Sequence, residues 1–154
     1  MSFSRKAVLV LTGIAALAMP LAVAGSASAS TDARCTVTPL KPVFDHVNSS
    51  GEKVIKYETK VTCSAGRSIE ILDERRDHDN LSTDDFEGSN TYNLRFDSTE
   101  TVTKYVLAVL PDADGWGDNN EEMYHSVGFQ VTEDSGYVSQ WTNWEDSAIV
   151  TFHL

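Results

Sequence analysis

Basic residues are scarce in this sequence of 154 residues. It has 12 Lys and Arg against 23 Asp and Glu, which gives a formal net charge of −11. Recognition of phosphate groups needs a basic face, so this balance argues against nucleic acid and anionic lipid as partners. We therefore expect an acidic domain whose partners are neither nucleic acid nor anionic lipid.

Apolar runs are also rare, and the one long run lies at the N-terminus. Residues 7–24 are almost wholly apolar or small, Arg5 and Lys6 precede them, and Ala27-Ser28-Ala29 follows. This run is too short and too rich in Ala and Gly to predict a transmembrane span. Its layout is typical of a secretory signal peptide. We predict a signal peptide over residues 1–29, cleaved near Ala29, and one secreted domain over residues 30–154 with no membrane span.

Loss of the signal peptide makes the chain still more acidic. Arg5 and Lys6 leave with it, so the formal charge falls from −11 to −13. About 125 residues suffice for one domain with its own core.

Catalytic signatures are missing as well. No Gly-x-Ser-x-Gly motif occurs, and the histidines lack the spacing of a metal site: His46, His78, His125 and His153. We predict a hydrogen-bonded core position for His125 and a solvated loop position for His78. A catalytic pair of carboxylates of the glycosidase type remains an open alternative, because such a pair is recognised by the distance between its two carboxyl groups, which a sequence does not give. We assign no catalytic residue.

Only two cysteines are present, Cys35 and Cys63. In an exported chain an even number of cysteines predicts a disulfide. The turn signal Asn48-Ser49-Ser50-Gly51 lies midway between them, so a chain folded back at this turn places the cysteines opposite each other. We predict a Cys35–Cys63 disulfide, in preference to a zinc site or a nucleophilic thiol.

Apolar residues recur at every second position through most of the chain, which is the period of a β-strand. The alternating faces are Ile55, Tyr57, Thr59, Val61 and Cys63; Ile69 and Ile71; Tyr92, Leu94 and Phe96; Met123, His125, Val127, Phe129 and Val131; Ala148, Val150, Phe152 and Leu154. Residues 102–110 are more continuously apolar, which predicts a central strand covered on both sides. Six to eight short strands predict an antiparallel β-sandwich.

Two acidic stretches break this alternation, residues 73–90 and 112–122, and we predict exposed loops for both. The second stretch combines glycines with oxygen ligands that suit calcium. The candidate calcium ligands are Asp112, Asp114, Asp118, Glu121 and Glu122. The alternative is a solvated acidic connection without a metal, and we predict no other cofactor.

Four aromatic residues are candidates for ligand contact: Trp116, Tyr137, Trp141 and Trp144. Such a set could form a platform for sugar rings or an anchor for a protein partner. The alternative for Trp141 and Trp144 is that they cover the edge of the sandwich.

The C-terminal third resembles the last three strands of a fibronectin type III domain, an immunoglobulin-like β-sandwich. The resemblance rests on the run from Tyr105 to Leu110-Pro111, on Val127-Gly-Phe129-Gln-Val131, and on Gly136 followed by Ser139-Gln-Trp141-Thr142. The residues Trp141-Thr142-Asn143-Trp144-Glu145 are similar to the Trp-Ser-x-Trp-Ser signature of cytokine-receptor modules of this class. The resemblance implies a sandwich fold and a binding role, although fold alone does not fix function.

Our first functional hypothesis is a secreted, non-catalytic binding module. Its partner would be a secreted or cell-surface protein, or a polysaccharide. The alternatives are a small secreted hydrolase that uses carboxylates and a secreted inhibitor that docks a rigid loop into a partner's cleft.

Overall fold

The computed structural model describes residues 29–78, 83–111 and 120–153 as an all-β protein. Residues 1–28 of the predicted signal peptide lie outside the described residues. The strands are β1 Ser30–Asp32, β2 Cys35–Pro39, β3 Val43–Val47, β4 Lys53–Cys63, β5 Arg67–Asp77, β6 Asp85–Phe96, β7 Glu100–Val109, β8 Asn120–Glu133, β9 Glu145–Asp146 and β10 Val150–His153. No helix among the described residues is long and apolar enough to cross a membrane.

The strands form two antiparallel sheets, and all of the strand pairs are antiparallel. In sheet A, β7 pairs with β4 along almost its whole length, β2 and β3 pair with successive parts of β4, and β1 pairs with β2. In sheet B, β5 lies between β6 and β8, and β8 also pairs with β9 and β10. The predicted antiparallel β-sandwich is therefore confirmed.

The predicted disulfide is confirmed in the predicted register. Cys35 of β2 lies directly opposite Cys63 of β4, and their Cα atoms are 4.1 Å apart. The predicted turn lies between β3 and β4. The side-chain oxygen of Asn48 accepts hydrogen bonds from the backbone N–H groups of Ser50 and Glu52, at 2.9 and 3.0 Å. Gly51 completes the turn with a positive φ of 87°, which glycine adopts without strain.

The core lies between the sheets and is apolar around the disulfide. Its members come from both sheets: Cys35, Val37, Val61, Cys63, Ile69, Ile71, Phe96, Val127, Phe129 and Val131. A second, smaller apolar cluster gathers Ile55, Tyr57, Leu110 and Met123. Most members of both clusters lie at the inward positions that the alternation predicts, and the exceptions are Cys35, Val37 and Leu110.

The prediction of a central strand over residues 102–110 is wrong. Within the described residues β7 pairs only with β4, so it is an edge strand. Alternate residues of β7 are exposed, Tyr105, Leu107 and Val109 among them. The apolar run misled because one of its two faces is directed to solvent.

The prediction of an exposed loop over residues 73–90 is also wrong. Residues 73–77 continue β5 and residues 85–90 begin β6, and the two strands pair as a hairpin. Asp73 and Asp77 follow Ile69 and Ile71 at the same inward parity and are buried like them. Carboxylates at these positions broke the hydrophobic pattern without ending the strand. Residues 79–82 lie outside the described part.

The second acidic stretch, residues 112–122, ends earlier than predicted, because β8 begins at Asn120.

Candidate functional site: an aromatic groove beside strand β1

The segment that carries the candidate aromatics, residues 138–147, runs along the edge of β8. Its backbone N–H groups donate to β8 carbonyls at three places: Ser139 to Val131, Thr142 to Phe129 and Ser147 to His125, at 2.8, 2.9 and 2.8 Å. Within this segment, strand pairing with β8 is limited to β9 and to one isolated bridge at Val138. The segment is therefore fixed to β8 at intervals.

Hydroxyl groups complete each of these attachments. The side-chain oxygen of Ser139 accepts from the N–H of Val131 at 3.0 Å, that of Thr142 from Phe129 at 3.1 Å, and that of Ser147 from His125 at 3.1 Å. Each Ser or Thr thus binds the N–H and the C=O of a single β8 residue. Buried backbone groups need such partners. A short hydroxyl side chain lets an irregular segment supply them.

Two of the four predicted aromatics meet in a groove that this segment forms with β1. The groove has a volume of about 440 Å³ and is lined by Ser30, Thr31, Asp32, Tyr137, Gln140, Trp141, Thr142, Asn143 and Glu145. We call it the aromatic groove. Tyr137 and Trp141 are both more than two-fifths exposed. Backbone attachments at Ser139 and Thr142 fix the chain on both sides of Trp141.

Trp144 lies elsewhere, against the outer face of sheet B. Its indole contacts Gly128 of β8, and three of its ring atoms lie 3.7–3.8 Å from the point where a Cβ at Gly128 would sit. Trp144 is 48% exposed and Trp141 is 47% exposed, so exposure alone does not separate them. The surroundings of the two tryptophans do separate them, because Trp141 lines the aromatic groove and Trp144 does not. Trp116 lies outside the described residues.

The aromatic groove has acidic and neutral polar groups beside its two rings. Asp32 and Glu145 are its two carboxylates, and no Lys or Arg is among its lining residues. Amides and hydroxyls supply the remaining polar groups, which both donate and accept hydrogen bonds. The lining is therefore chemically suited to a neutral, hydroxyl-rich ligand rather than to an anionic one.

The predicted calcium ligands fall into two groups. Asp112, Asp114 and Asp118 lie outside the described residues. Glu121 and Glu122 lie in β8, where the first is fully buried and the second is partly exposed. Neighbouring residues of a strand point to opposite faces, so these two side chains do not converge. In the ranges that the structure describes, no three His, Cys, Asp or Glu side chains are placed to hold a metal ion.

A buried polar cluster between the sheets was not predicted as such. His125 Nδ1 lies 2.8 Å from Asp73 Oδ1, and His125 Nε2 lies 2.8 Å from the carbonyl oxygen of Leu40. Thr59 donates to Asp73 Oδ2 at 2.8 Å. The ring of Tyr57 meets that of His125 edge-on, with centroids 5.6 Å apart. The prediction of a hydrogen-bonded core histidine is confirmed for His125.

Burial excludes a direct catalytic role for this His–Asp pair in the folded state. His125 and Asp73 are both 0% exposed, so no substrate reaches them. Burial also raises the pKa of the Tyr57 hydroxyl above its ordinary value, because the charged form would be desolvated. The inward parity of Asp73 with Ile69 and Ile71 is the sequence signal that indicates this cluster.

A second His–Asp contact lies nearer the surface. The hydroxyl of Tyr124 donates to Asp84 Oδ2 at 2.5 Å, and His78 Nδ1 lies 3.1 Å from Asp84 Oδ1. Burial, and then the bond to Asp84, raise the pKa of Tyr124. His78 was predicted to be solvated, and it is instead partly buried with a carboxylate neighbour. These contacts link β8 to the residues that flank the β5–β6 connection.

No protein-family model matches the chain, and a search of curated proteins gives no significant match.

Proposed function

We propose that this protein is a secreted, non-catalytic binding module that binds a neutral polysaccharide in the aromatic groove. The observation that carries the proposal is the presence of Tyr137 and Trp141 in one groove that is otherwise lined by amides, hydroxyls and two carboxylates. Secretion is supported by the disulfide, which persists in oxidising compartments outside the cell.

Aromatic rings suit this ligand because a sugar ring has an apolar C–H face. Tyr and Trp bury a large apolar area when they bind and lose little conformational freedom. The sugar hydroxyls need partners that donate and accept, which the side chains of Gln140, Asn143 and Thr142 provide. The groove therefore offers both the aromatic rings and the polar groups that a saccharide-binding surface uses.

Charge narrows the class of polysaccharide. Asp32 and Glu145 lie in the groove without a lysine or arginine among its lining residues, and the whole chain has a net charge of −11. An anionic polymer would meet like charges both at long range and in the groove. We therefore propose a neutral polymer.

The groove is also preorganised. The attachments of Ser139 and Thr142 to β8 hold the backbone on both sides of Trp141 before any ligand binds. A site that is already ordered loses less entropy on binding than a mobile one.

Co-sedimentation with insoluble cellulose, chitin and xylan tests the proposal, with polygalacturonic acid as the anionic comparison. We expect the secreted protein to bind at least one neutral polymer. Trp141→Ala should weaken this binding by about tenfold or more, which corresponds to about 1.4 kcal/mol. Trp144→Ala is the matched control, because Trp144 has nearly the same exposure outside the groove.

Three results would contradict the proposal. They are no binding to any neutral polymer, equal losses for the two variants, or a preference for the anionic polymer. Release of new reducing ends during the assay would instead support the carboxylate hydrolase. The comparison is valid only if both variants keep the melting temperature of the wild type.

A further inference from the structure

Strand β7 differs from the edge strands β1, β3 and β6 in being both long and free of register shifts. β6, at the edge of sheet B, has a register shift opposite Arg75 and Arg76 and a glycine at φ 131°. β3 has a register shift between Phe44 and His46, and β1 has only three residues. Bulges and short strands are the usual ways in which proteins prevent edge strands from pairing with other chains.

β7 lacks these features over its whole length. Its ten residues pair with β4 without a register shift, and within the described part of the chain no other strand pairs with it. Its outward face carries Tyr105, Leu107 and Val109, which are 60%, 42% and 45% exposed. A long, regular edge with an apolar row is a template for strand addition.

We propose that β7 pairs with β7 of a second copy of this chain, antiparallel and about a two-fold axis at Leu107. In this register Tyr105 lies opposite Val109 of the second copy, and Leu107 lies opposite Leu107. The row is therefore self-complementary. Aromatic residues opposite β-branched ones are favourable cross-strand pairs, of about 0.2–1 kcal/mol each. A two-fold interface requires such self-complementarity.

Charge also favours a second copy at this place. Residues 105–110 carry no charge, and the register places Lys104 opposite Leu110, so no like charges face each other directly over residues 104–110. On β4, the neighbouring Lys56 and Glu58 form an ion pair at 3.1 Å. The strip is thus locally neutral in a chain that is otherwise strongly acidic, so repulsion between two copies is smallest here.

The proposed interface leaves the aromatic groove accessible. β7 and β1 lie at opposite edges of sheet A, and β1 lines the groove. The pair would therefore present two grooves, and two linked sites bind a polymer with a higher effective concentration than one site does. The dimer itself does not depend on what the groove binds.

Cysteine cross-linking tests the register directly. Because Leu107 lies on the axis, Leu107→Cys should give a covalent dimer under mild oxidation, since paired Cβ atoms on adjacent strands are about 5 Å apart. Thr103→Cys is the matched control. It is exposed on the same row but four residues from the axis, which separates the two copies of position 103 by roughly 26 Å.

Sedimentation velocity over a range of concentrations tests the association itself. We expect the secreted protein to shift toward twice the mass of one chain as its concentration rises, and more so at high salt, which screens the net charge. Leu107→Lys should weaken the dimer at least tenfold, because it places two ammonium groups opposite each other. Leu107→Thr, a milder change that keeps a β-forming residue, should weaken it less.

Thr91→Lys, at an exposed position of β6, is the control for the added charge. The proposal is overturned if the wild type keeps the mass of one chain at every concentration. It is also overturned if Thr103→Cys cross-links as readily as Leu107→Cys, or if Leu107→Lys and Thr91→Lys associate equally.

Discussion

The space between the two sheets holds two neighbouring regions of opposite chemistry. In the apolar region, Val61, Ile71 and Phe129 belong to the cluster that contains the Cys35–Cys63 disulfide and are fully buried. The polar region begins one inward step away on β4 and β5 and lies between this cluster and the smaller apolar one. In it Thr59, Asp73 and His125 are equally buried, and Asp73 is hydrogen-bonded to both of the others.

This comparison shows that burial alone does not determine what a position tolerates. The apolar region is stabilised by removal of hydrocarbon from water and by close packing. In the polar region each buried polar atom needs its partner, since an unpaired buried polar group is costly. Substitutions that are mild in one region should therefore be damaging in the other.

The largest effect should come from removing one member of the Asp73–His125 pair. Asp73→Ala leaves His125 and the Thr59 hydroxyl buried without their carboxylate, so we expect a loss of about 3–5 kcal/mol in the free energy of unfolding. Urea denaturation at pH 7 measures this loss. Glu70→Ala, at an exposed position of the same strand, is the control and should change little. A loss below about 1 kcal/mol for Asp73→Ala would show that the cluster does not stabilise the fold.

Removing the disulfide, in the apolar region, should have a slightly smaller effect. The two cysteines are 28 residues apart, and closing a loop of this length stabilises a fold by about 3–4 kcal/mol in the chain-entropy model. The double variant Cys35→Ala and Cys63→Ala measures it by the same denaturation. An unchanged denaturation midpoint would contradict the importance of this cross-link.

A pair of isosteric exchanges on β4 tests the difference between the two regions most specifically. Thr59→Val removes a hydroxyl that donates to Asp73, for which we expect a loss of about 1.5–3 kcal/mol. Val61→Thr buries a hydroxyl among apolar side chains, for which we expect about 1–3 kcal/mol. Thr59 and Val61 are both fully buried, so the two losses of stability can be compared without a difference in solvent exposure. A stabilising effect of either exchange would contradict the chemistry assigned to that region.

The smallest effect should appear at alkaline pH. Burial raises the pKa of Tyr92 to about 12, from an ordinary value near 10. The unfolded chain releases this proton first, so the stability contributed by the neutral tyrosine is complete below about pH 10 and is lost as the pH rises toward 12.

Tyr92→Phe isolates this contribution. The hydroxyl of Tyr92 is buried and has no hydrogen-bond partner among the described residues, so its removal should cost little at pH 7. Between pH 10 and 12 the variant should lose less stability than the wild type. Parallel losses in urea denaturation at pH 9, 10 and 11 would contradict the cause assigned to the raised pKa.

Much of the fold could be predicted from the sequence. The period of two identified the inward faces of β4, β5, β6 and β8, and the turn at Asn48–Gly51 put Cys35 opposite Cys63, as the structure confirms. Alternation failed where buried carboxylates replaced apolar residues, at Asp73 and Asp77. It also failed at β7, because a run of apolar residues does not show whether its outer face is covered.

Less of the candidate site could be predicted. Tyr137 and Trp141 were identified by type, but their meeting with β1 depends on hydrogen bonds of Ser139 and Thr142 to β8, which no local pattern indicates. Trp144 was grouped with them by proximity in sequence, and the structure separates it. The resemblance to fibronectin type III domains, the signal peptide and the calcium site remain predictions.

Site-resolved titration tests the proposed binding function most directly. The indole N–H groups of Trp116, Trp141 and Trp144 give separate signals in a ¹⁵N-labelled sample, and soluble cello-, xylo- and chito-oligosaccharides serve as neutral ligands. We predict that at least one oligosaccharide shifts the Trp141 signal in a saturable way and leaves the Trp144 signal in place. A Trp141 signal that stays unchanged with all three ligands, or a response confined to Trp144, would contradict binding in the aromatic groove.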